Sequence, residues 1–469
     1  MTSARRETKP RVAQAARQAP FALGVLLVAL GAAAFAIAFR SALTTTLRTL
    51  AGAGDVVSAM RRAPVWVRLF APALGGLLAG LVGMLVARAP GGRGVGDVME
   101  AVVLGRVRLS MRVTLLKSLA SFCAIVSGGS LGREGPLIQF GGAIGKFVSD
   151  KLGLSTRDAR RLIAAGTAAG FAAAYNTPFA AVLFVLEVVT GVVVLDAILP
   201  ALVATVVATA LTRAVVGQGP IYGQRSFQLQ APSELLALAG LGVVTAFGAQ
   251  AFMRLLSFGE SSFRKRRLAL PWRPALGGLL AGAIIVALPD VAGNGYEPLN
   301  TLLDGRFAPN FVIWLLLGKC LATTASVSSG SPGGVFTPTL LVGGALGLLY
   351  AHALDALGVH VGLPGGYALV GMAAATGATT HAPLMGAVMV FELSGDYAIA
   401  LPLVLATALS TLVSRALRHD SVYTAELRER GLGWELTFEG RVLDPRSRAS
   451  SVPPSSSGGQ ASAKLDTRP

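Results

Sequence analysis

Long runs of apolar residues that contain no charged residue recur along the chain. The first run, residues 21–39, is 19 residues long. That is close to the ~20 residues that a helix needs to span a bilayer, and too long for a signal-peptide core. The other uncharged runs occupy 69–87, 162–186, 197–212, 235–253, 274–289, 320–354, 356–391 and 397–414. This pattern predicts an all-α, multi-pass membrane protein.

Two glycine-rich stretches interrupt the apolar pattern. The run 320–354 contains Ser-Ser-Gly-Ser-Pro-Gly-Gly at 328–334, and a continuous helix is not expected through such a segment. The segment 127–145, SGGSLGREGPLIQFGGAIG, has the same character and also carries Arg133 and Glu134. Interrupted backbone inside a membrane is tolerated only where protein buries it or where it lines a polar cavity. Both stretches therefore predict broken helices that meet inside the protein.

The chain contains an internal repeat. The nonamer PALGGLLAG occurs at 72–80 and again at 274–282, an offset of 202 residues. The same or nearly the same offset relates Lys117 to Lys319, Gly132 to Gly334, Pro136 to Pro338 and Glu187 to Glu392. We therefore predict two related halves, residues 65–215 and 267–417. Repeated halves with interrupted segments are typical of transporters and channels whose substrate site lies between the halves. Spacing alone leaves open whether the repeats are parallel or inverted.

Composition and charge narrow the class further. Only 14% of the residues are charged, against about 25% in soluble domains. The net charge of +17 comes largely from basic clusters in tails and loops, at 5–17 and 264–267. That placement is typical of cytoplasmic segments and not of nucleic-acid binding. The two cysteines lie apart in apolar surroundings, and no metal or cofactor motif is present, so neither a metal nor a cofactor is expected.

The two breaks predict a binding site for a small anion. The first turn of a helix has N–H groups without internal partners, and the helix dipole adds partial positive charge there. Glycine-rich segments precede both predicted helix starts, at 128–132 and 330–334. Two helix N-termini that face each other would bind a small anion without a full positive charge, and the anion could therefore leave again.

These motifs resemble those of a known family. GREGP at 132–136, GVFTP at 334–338 and the tyrosine of GDYAIALP at 395–402 are similar to the signature motifs of the ClC chloride channels and anion/proton exchangers. The resemblance covers about residues 65–417. It implies an all-helical fold of two inverted repeats with broken helices, embedded in membrane lipid. It also implies a homodimer in which each subunit has its own anion pathway.

The resemblance also implies roles for individual residues. Glu134 would be the gate, because its carboxylate competes with the anion for the same N–H groups until it is protonated. An alternative for Glu134 is a salt bridge with Arg133, but neighbours in sequence rarely pair well, and acids within a membrane are usually functional. The expected anion-binding residues are Gly132, Arg133, Glu134 and Gly135 in the first half, and Gly334, Val335, Phe336 and Tyr397 in the second.

Several positions depart from the family pattern or leave alternatives open. GRGVG at 92–96 places Arg93 where the family has a pore serine. An arginine there either holds an anion in the pore or attracts anions from the cytoplasm, and we expect the second. Val188 occupies the position where exchangers carry a proton-relay glutamate, whereas the neighbouring Glu187 matches a structural acid of the family. Lys117 and Lys319 either cap carbonyl groups or lend positive potential to the path.

We therefore expect a voltage- or pH-gated channel for chloride or a similar small anion. The alternatives are an anion/proton exchanger, including one that handles fluoride, and an intramembrane hydrolase that uses Ser130 or Glu134. The hydrolase is disfavoured because no base is evident near Ser130, so the protein is not expected to be an enzyme.

The chain is expected to divide into a basic tail (1–20), a membrane domain (21–418) and a C-terminal tail (419–469). The C-terminal tail is predicted to be disordered from about 440, and both tails are expected to be cytoplasmic. The membrane is expected to be a bacterial-type inner or plasma membrane.

Overall fold

The described chain is almost entirely helical. The computed structural model describes residues 4–86, 94–105, 109–192, 194–217, 221–223, 227, 229, 231–266, 268–359, 362–429, 433–437 and 440–444, with side chains from residue 18 to 428. The helices are α1 (Ala4–Ala51), α2 (Val56–Arg62), α3 (Val65–Val86), α4 (Val95–Leu104), α5 (Met111–Val126), α6 (Glu134–Lys151), α7 (Thr156–Tyr175), α8 (Pro178–Leu183), α9 (Leu195–Val216), α10 (Glu234–Lys265), α11 (Trp272–Ala287), α12 (Tyr296–Leu303), α13 (Pro309–Ser328), α14 (Phe336–Ala356), α15 (Pro364–Thr380), α16 (Pro383–Ser394), α17 (Ala400–Leu417) and α18 (Val422–Glu429). A π-helical segment (Phe184–Thr190) follows α8, and a short 3₁₀ turn (Pro289–Val291) follows α11.

Many of these helices are long and apolar enough to cross a membrane. Within the described residues, seven helical stretches meet that condition. They are Gln18–Arg62, Val65–Val86, Leu195–Val216, Glu234–Lys265, Pro309–Ser328, Phe336–Ala356 and Ala400–Arg428. Their outer faces carry large apolar side chains, among them Leu199 and Leu401, which suits contact with lipid. The predicted multi-pass, all-α architecture is confirmed.

Both predicted helix breaks are present. In the first half, α5 ends at Val126 and α6 begins at Glu134, and in the second half α13 ends at Ser328 and α14 begins at Phe336. The order α3 to α9 is repeated by α11 to α17, and α10 connects the two halves. The glycine-rich segments therefore separate successive helices in each half, as the sequence predicts.

The repeated nonamer packs against its own copy. A β-carbon on Gly76 of α3 would collide with the carbonyl group of Pro274 of α11, and one on Gly278 would collide with the carbonyl group of Pro72. Small residues allow this close backbone approach between membrane helices. Because the two contacts are equivalent under exchange of the halves, α3 and α11 are related by a local two-fold rotation.

A pair of partly buried acids repeats this two-fold relation. The Glu187 carboxylate accepts hydrogen bonds from the backbone N–H groups of Leu384 (3.2 Å) and Met385 (2.7 Å) at the start of α16. Glu392 does the same with Phe179 (3.1 Å) and Ala180 (2.8 Å) at the start of α8. Each half thus caps a helix of the other. These reciprocal contacts agree with the predicted fold of two inverted repeats.

The chain beyond the second half forms α18 and a small hairpin. Strands β1 (Gly433–Thr437) and β2 (Gly440–Asp444) pair in antiparallel register, with Gly433 opposite Asp444. The ordered chain thus continues slightly past the predicted start of disorder near 440. Residues 445–469 lie outside the described residues.

Candidate functional site

The two glycine-rich breaks meet in the middle of the protein. The N–H group of Gly132 donates to the carbonyl of Gly334 at 2.7 Å, and the N–H group of Gly334 donates to the carbonyl of Gly132 at 2.8 Å. This isolated antiparallel bridge joins equivalent positions of the two halves. It brings the starts of α6 and α14 together, as the sequence predicts for helix N-termini at the repeat interface.

Glu134, the first residue of α6, reaches across this interface. Its side chain is buried, at 1% exposure. The backbone N–H group of Phe336 donates to Glu134 Oε1 at 2.8 Å, and the Thr337 hydroxyl donates to Oε2 at 3.2 Å. Phe336 and Thr337 open α14, so the carboxylate lies at the N-terminus of the opposite half's helix. This is the environment that a helix offers to an anion.

The glycines on both sides of the bridge make room for this carboxylate. A β-carbon on Gly132 or on Gly334 would collide directly with the Glu134 carboxylate. Gly135 also approaches the opposite break closely, because its β-carbon would lie 3.7 Å from the backbone nitrogen of Gly334. Any larger residue at 132 or 334 would fill the space that the carboxylate occupies.

A buried tyrosine lies beside the partners of Glu134. The Tyr175 hydroxyl, at the end of α7, lies 3.0 Å from the Thr337 hydroxyl. Its ring is 5.5 Å from that of Phe336. The sequence reasoning missed both Tyr175 and Thr337. Thr337 could have been found, because it lies within the GVFTP motif, but only the fold brings Tyr175 to the site.

Arg133 points away from Glu134. Its guanidinium lies over the ring of Tyr296, 5.2 Å from the ring centroid, and one nitrogen approaches the carbonyl of Ala174 at 3.5 Å. The alternative of a Glu134–Arg133 salt bridge is therefore wrong in this structure. Arg133 instead lines a cavity of about 390 Å³ beside the site. Other polar residues of its lining are Arg40, Thr44, Asp55, Asn176, Thr212, Asn294, Tyr296, Glu297 and Asn300.

The structure places the predicted Tyr397 outside the site. Its side chain is 82% exposed, and its ring contacts Phe391 at 6.2 Å. The prediction that Tyr397 binds the anion is therefore wrong, because its hydroxyl is not directed into the buried interface.

A different tyrosine, Tyr423 of α18, is connected to the site through packed aromatic rings. Its side chain is only 8% exposed. Its ring lies against that of Phe184 at 5.8 Å. Phe184 stacks on Phe171, which in turn contacts the Phe336 ring at 5.6 Å. The sequence analysis assigned this segment to the C-terminal tail and did not single out the tyrosine within it.

Val188 and Glu187 lie in the π-helical segment after α8. The Val188 side chain is 1% exposed and offers no group that could accept a proton. The Glu187 carboxylate is held by the start of α16, as described above, which is a structural contact. Val188 therefore offers no proton-accepting group, and the Glu187 carboxylate is engaged with α16.

The two repeat-related lysines make different contacts. Lys117 forms an ion pair with Asp97 at 3.4 Å. Lys319 is fully buried and donates to the carbonyl groups of Val291 (3.1 Å) and Gly293 (2.8 Å). The carbonyl-capping alternative therefore describes Lys319. Gly293 lies against the first break, because its N–H group donates to the carbonyl of Gly128 at 3.4 Å.

The remaining predicted positions are Val335, Arg93 and Ser130. Val335 directly precedes α14, beside Phe336. Arg93 lies outside the described residues. The Ser130 hydroxyl is buried 2.9 Å from the Thr323 hydroxyl. A hydroxyl is not a base that could activate a nucleophile, so this contact gives the hydrolase alternative no support.

The fold and the site together define the class of protein: a multi-pass membrane protein of two related halves, in which the helix N-termini of the two halves meet at a buried carboxylate. A model of the family described as "Voltage gated chloride channel" matches residues 75–415. The chain belongs to this family, the ClC chloride channels and transporters. Its members move anions across membranes and are not enzymes.

Individual relatives match over most of their length. A Ralstonia nicotianae protein, named as ClcB-like, is 39% identical over 412 residues, which cover 86% of this chain and 95% of the relative. The "Voltage-gated ClC-type chloride channel ClcB" of Salmonella typhimurium is 33% identical over 387 residues, which cover 80% of this chain and 91% of the relative.

Solved structures share the fold. A "slow cyanobacterial Cl⁻/H⁺ antiporter" superposes with a TM-score of 0.78 at 25% identity and covers 88% of this chain and 98% of its own. A "CLC-type fluoride/proton antiporter" gives 0.70 at 21% identity, with 88% and 98% covered. At that identity the second likeness concerns the fold alone.

Proposed function

We propose that the protein conducts chloride, or a similar small anion, along a path that the Glu134 carboxylate closes. The observation that carries the proposal is the 2.8 Å hydrogen bond from the Phe336 N–H group to Glu134 Oε1. A carboxylate that takes up a helix N-terminus does what a transported anion would do at the same place. Chloride is the proposed ion because both curated relatives described above carry chloride-channel names.

In this proposal the carboxylate and the anion exclude each other. Both need the N–H groups at the start of α14. The carboxylate already fills the space beside Gly334, because a β-carbon there would collide with it. Only one of the two can therefore occupy this position at a time. Protonation removes the charge of Glu134, which weakens its hold on these donors. The neutral side chain then leaves, and an anion takes its place. Anion flux consequently rises as the pH falls.

The other predicted anion-binding residues surround this position in the proposal. Gly132, Gly135 and Gly334 leave space for the anion, and Val335 and Phe336 present backbone N–H groups. Arg133 acts from the cavity, where it raises the local anion concentration by its charge. Tyr423 takes the role that the sequence reasoning gave to Tyr397: its hydroxyl donates to the anion on the other side of Glu134.

Passive conduction is the favoured mode of transport. Val188 is buried and apolar, so the relay position carries no group that could take up a proton. Coupled anion/proton exchange is the second candidate, because the cyanobacterial antiporter shares 25% of its sequence with this chain. Exchange would need another proton acceptor on the way to Glu134.

The test of the proposed function is chloride efflux from liposomes that contain the purified protein. Chloride-loaded vesicles should release chloride when valinomycin and potassium balance the charge, and protein-free vesicles should not. Efflux should be faster at pH 5 than at pH 7.5. Absence of efflux at either pH from correctly folded protein would refute the proposal.

The proposed oligomeric state, membrane and orientation are those that the family implies. The protein is a homodimer in a bacterial-type inner or plasma membrane, and the tails at 1–20 and 419–469 are both cytoplasmic. Light scattering in detergent should give the mass of two chains. A reporter fused to either terminus should be active only on the cytoplasmic side.

A further inference from the structure

Two arginines from distant parts of the chain line the same space beside the site. Arg40 of α1 and Arg133, which directly precedes α6, both line the cavity of about 390 Å³. Both also line an adjoining cavity of about 10 Å³. Residues that share so small a cavity lie close together, and two charges of like sign repel each other at short range. The pair therefore calls for a negative charge nearby.

No described carboxylate supplies that charge as an ion pair. The Arg40 side chain forms no hydrogen bond or ion pair with any described residue. Arg133 contacts the ring of Tyr296 and, at 3.5 Å, the carbonyl of Ala174. Its Nε atom is buried and has no hydrogen-bond partner in the described part of the chain. Because buried donors rarely lack a partner, the protein leaves the Arg133 guanidinium incompletely satisfied.

The two acids that line the larger cavity are engaged at helix starts. Asp55 is the N-cap of α2 and accepts a hydrogen bond from the Ser58 N–H group at 2.7 Å. Glu297 lies in the first turn of α12. The partial positive charge of a helix start stabilises a carboxylate there. The smaller cavity is lined by both arginines and by no described acid, so the positive charges lie together in a part of the space that the acids do not line.

The smaller cavity suits a monatomic anion. A space of about 10 Å³ holds about one particle of the size of water, which is too little for an extended molecule. The guanidinium groups are pure hydrogen-bond donors, which favours an anion over a cation. Apart from the arginines and Thr212, the described lining is apolar: Ala36, Ile37, Leu137, Ala173, Ala174 and Val216.

We infer that Arg40 and Arg133 together bind a chloride ion, or a similar monatomic anion, at a site separate from the N–H groups that hold Glu134. Arg133 belongs to the first half, whereas Arg40 precedes both halves and lies outside the residues 75–415 that the family model matches. The inference goes beyond the proposed function, because an ion can bind in the cavity whether or not Glu134 gates conduction.

The test locates the bound ion and measures its affinity. Crystals of the wild-type protein grown with bromide should show an anomalous scattering peak within hydrogen-bonding distance of both guanidinium groups, and crystals of Arg40→Gln should lack it. In titration calorimetry, Arg40→Gln should bind chloride in the cavity at least about tenfold more weakly, since it loses a charge-assisted hydrogen bond. Arg40→Lys keeps the charge but not the planar donor group, so its loss should be smaller.

The matched control is Arg48→Gln. It removes the same charge from α1 about two turns further along the helix, at a residue that lines neither cavity. Its bromide peak and its chloride affinity should equal those of wild type. If Arg48→Gln weakens binding as much as Arg40→Gln does, the effect is one of general charge and the site is refuted.

The remaining outcomes separate this inference from the proposed function. The inference is wrong if wild type shows no bromide peak in the cavity, or if the peak persists in Arg40→Gln. A peak without calorimetric chloride binding up to about 0.15 M, the physiological ionic strength, would mean binding at crystal concentration only and would also refute it. If chloride binds in the cavity but liposomes show no efflux, the proposed function alone fails. Should Arg40→Gln not fold, as judged by size-exclusion chromatography, Arg40→Lys must bind more weakly than wild type for the inference to survive.

Discussion

At the scale of single residues, the proposed mechanism is the replacement of one anion by another. Glu134 accepts two hydrogen bonds from the first residues of α14, and glycines at 132 and 334 leave the space that its carboxylate fills. Among the described residues no full positive charge contacts the carboxylate, and Arg133 is directed to Tyr296. In the proposal, a site of this kind binds an anion and also releases it.

The first prediction concerns the charge of Glu134. In wild type, a fall in pH protonates more of the carboxylate, and flux should rise by as much as about tenfold per pH unit while the ionised form dominates. Glu134→Gln cannot ionise, so its chloride efflux should persist and be independent of pH. Efflux measured between pH 5 and 8 checks this. A folded but fully inactive Glu134→Gln protein would contradict the assignment of the gate.

The second prediction separates two tyrosines. Tyr423→Phe removes a hydroxyl that donates to the anion, a bond worth about 0.5–1.5 kcal/mol, so chloride affinity should fall roughly two- to tenfold. Tyr397→Phe should bind chloride as wild type does, because its side chain is 82% exposed. Isothermal titration with chloride measures both. If the two variants bind chloride with equal affinity, Tyr423 does not contact the anion.

The sequence predicted the positions of site residues best where a short motif also determines the backbone conformation at a helix start. Glu134, Gly132, Gly334 and Phe336 lie in short motifs at helix starts, and the structure brings them together. The motif GDYAIALP pointed to Tyr397, which precedes α17, but that motif does not determine whether the side chain of Tyr397 or that of Tyr423 in α18 is buried. Burial, which only the fold determines, decides between them.

At the scale of elements, the two halves hold each other through helix ends. Glu187 caps α16, and Glu392 caps α8. The bridge between Gly132 and Gly334 fixes the spacing of α6 and α14. These contacts give the partly buried acids Glu187 and Glu392 a structural role: each satisfies N–H groups that a helix leaves without partners.

The third prediction tests these caps as a pair. Glu187→Ala and Glu392→Ala should each lower the stability by about 1–2 kcal/mol, the usual loss for a helix cap. The melting temperature in detergent should therefore fall by similar amounts in both variants. Asp150→Ala is the control, since its exposed ion pair with Lys146 is worth little. If Glu187→Ala and Glu392→Ala lower the melting temperature no more than Asp150→Ala does, the reciprocal capping is contradicted.

The sequence predicted the helix breaks and the correspondence of the helices better than it predicted individual site residues. The glycine-rich stretches predicted both breaks, because no continuous helix forms through them, and the repeated nonamer predicted which helices correspond. The inward direction of α18 could not be predicted, since an eight-residue helix has too few positions to define an apolar face. The hairpin β1–β2 was missed because it follows directly on polar, charged sequence that is typical of a tail.

At the scale of the whole molecule, the duplication makes one site out of two breaks. Neither half alone has the site, because the carboxylate comes from α6 and its donors come from α14. The two related halves bring two helix N-termini together in the interior of the protein. The repeat offset indicated this pairing, but the direction of the repeats required the fold.

The most direct test of the central claim records chloride and protons together. Liposomes with the purified protein are loaded with chloride, and efflux is followed by a chloride electrode while a pH electrode records the external medium. If Glu134 gates passive conduction, chloride efflux should be fast and should accelerate at lower pH, with no proton uptake in fixed proportion to the chloride released. Stoichiometric proton uptake that disappears in Glu134→Gln would contradict passive conduction and would establish exchange instead.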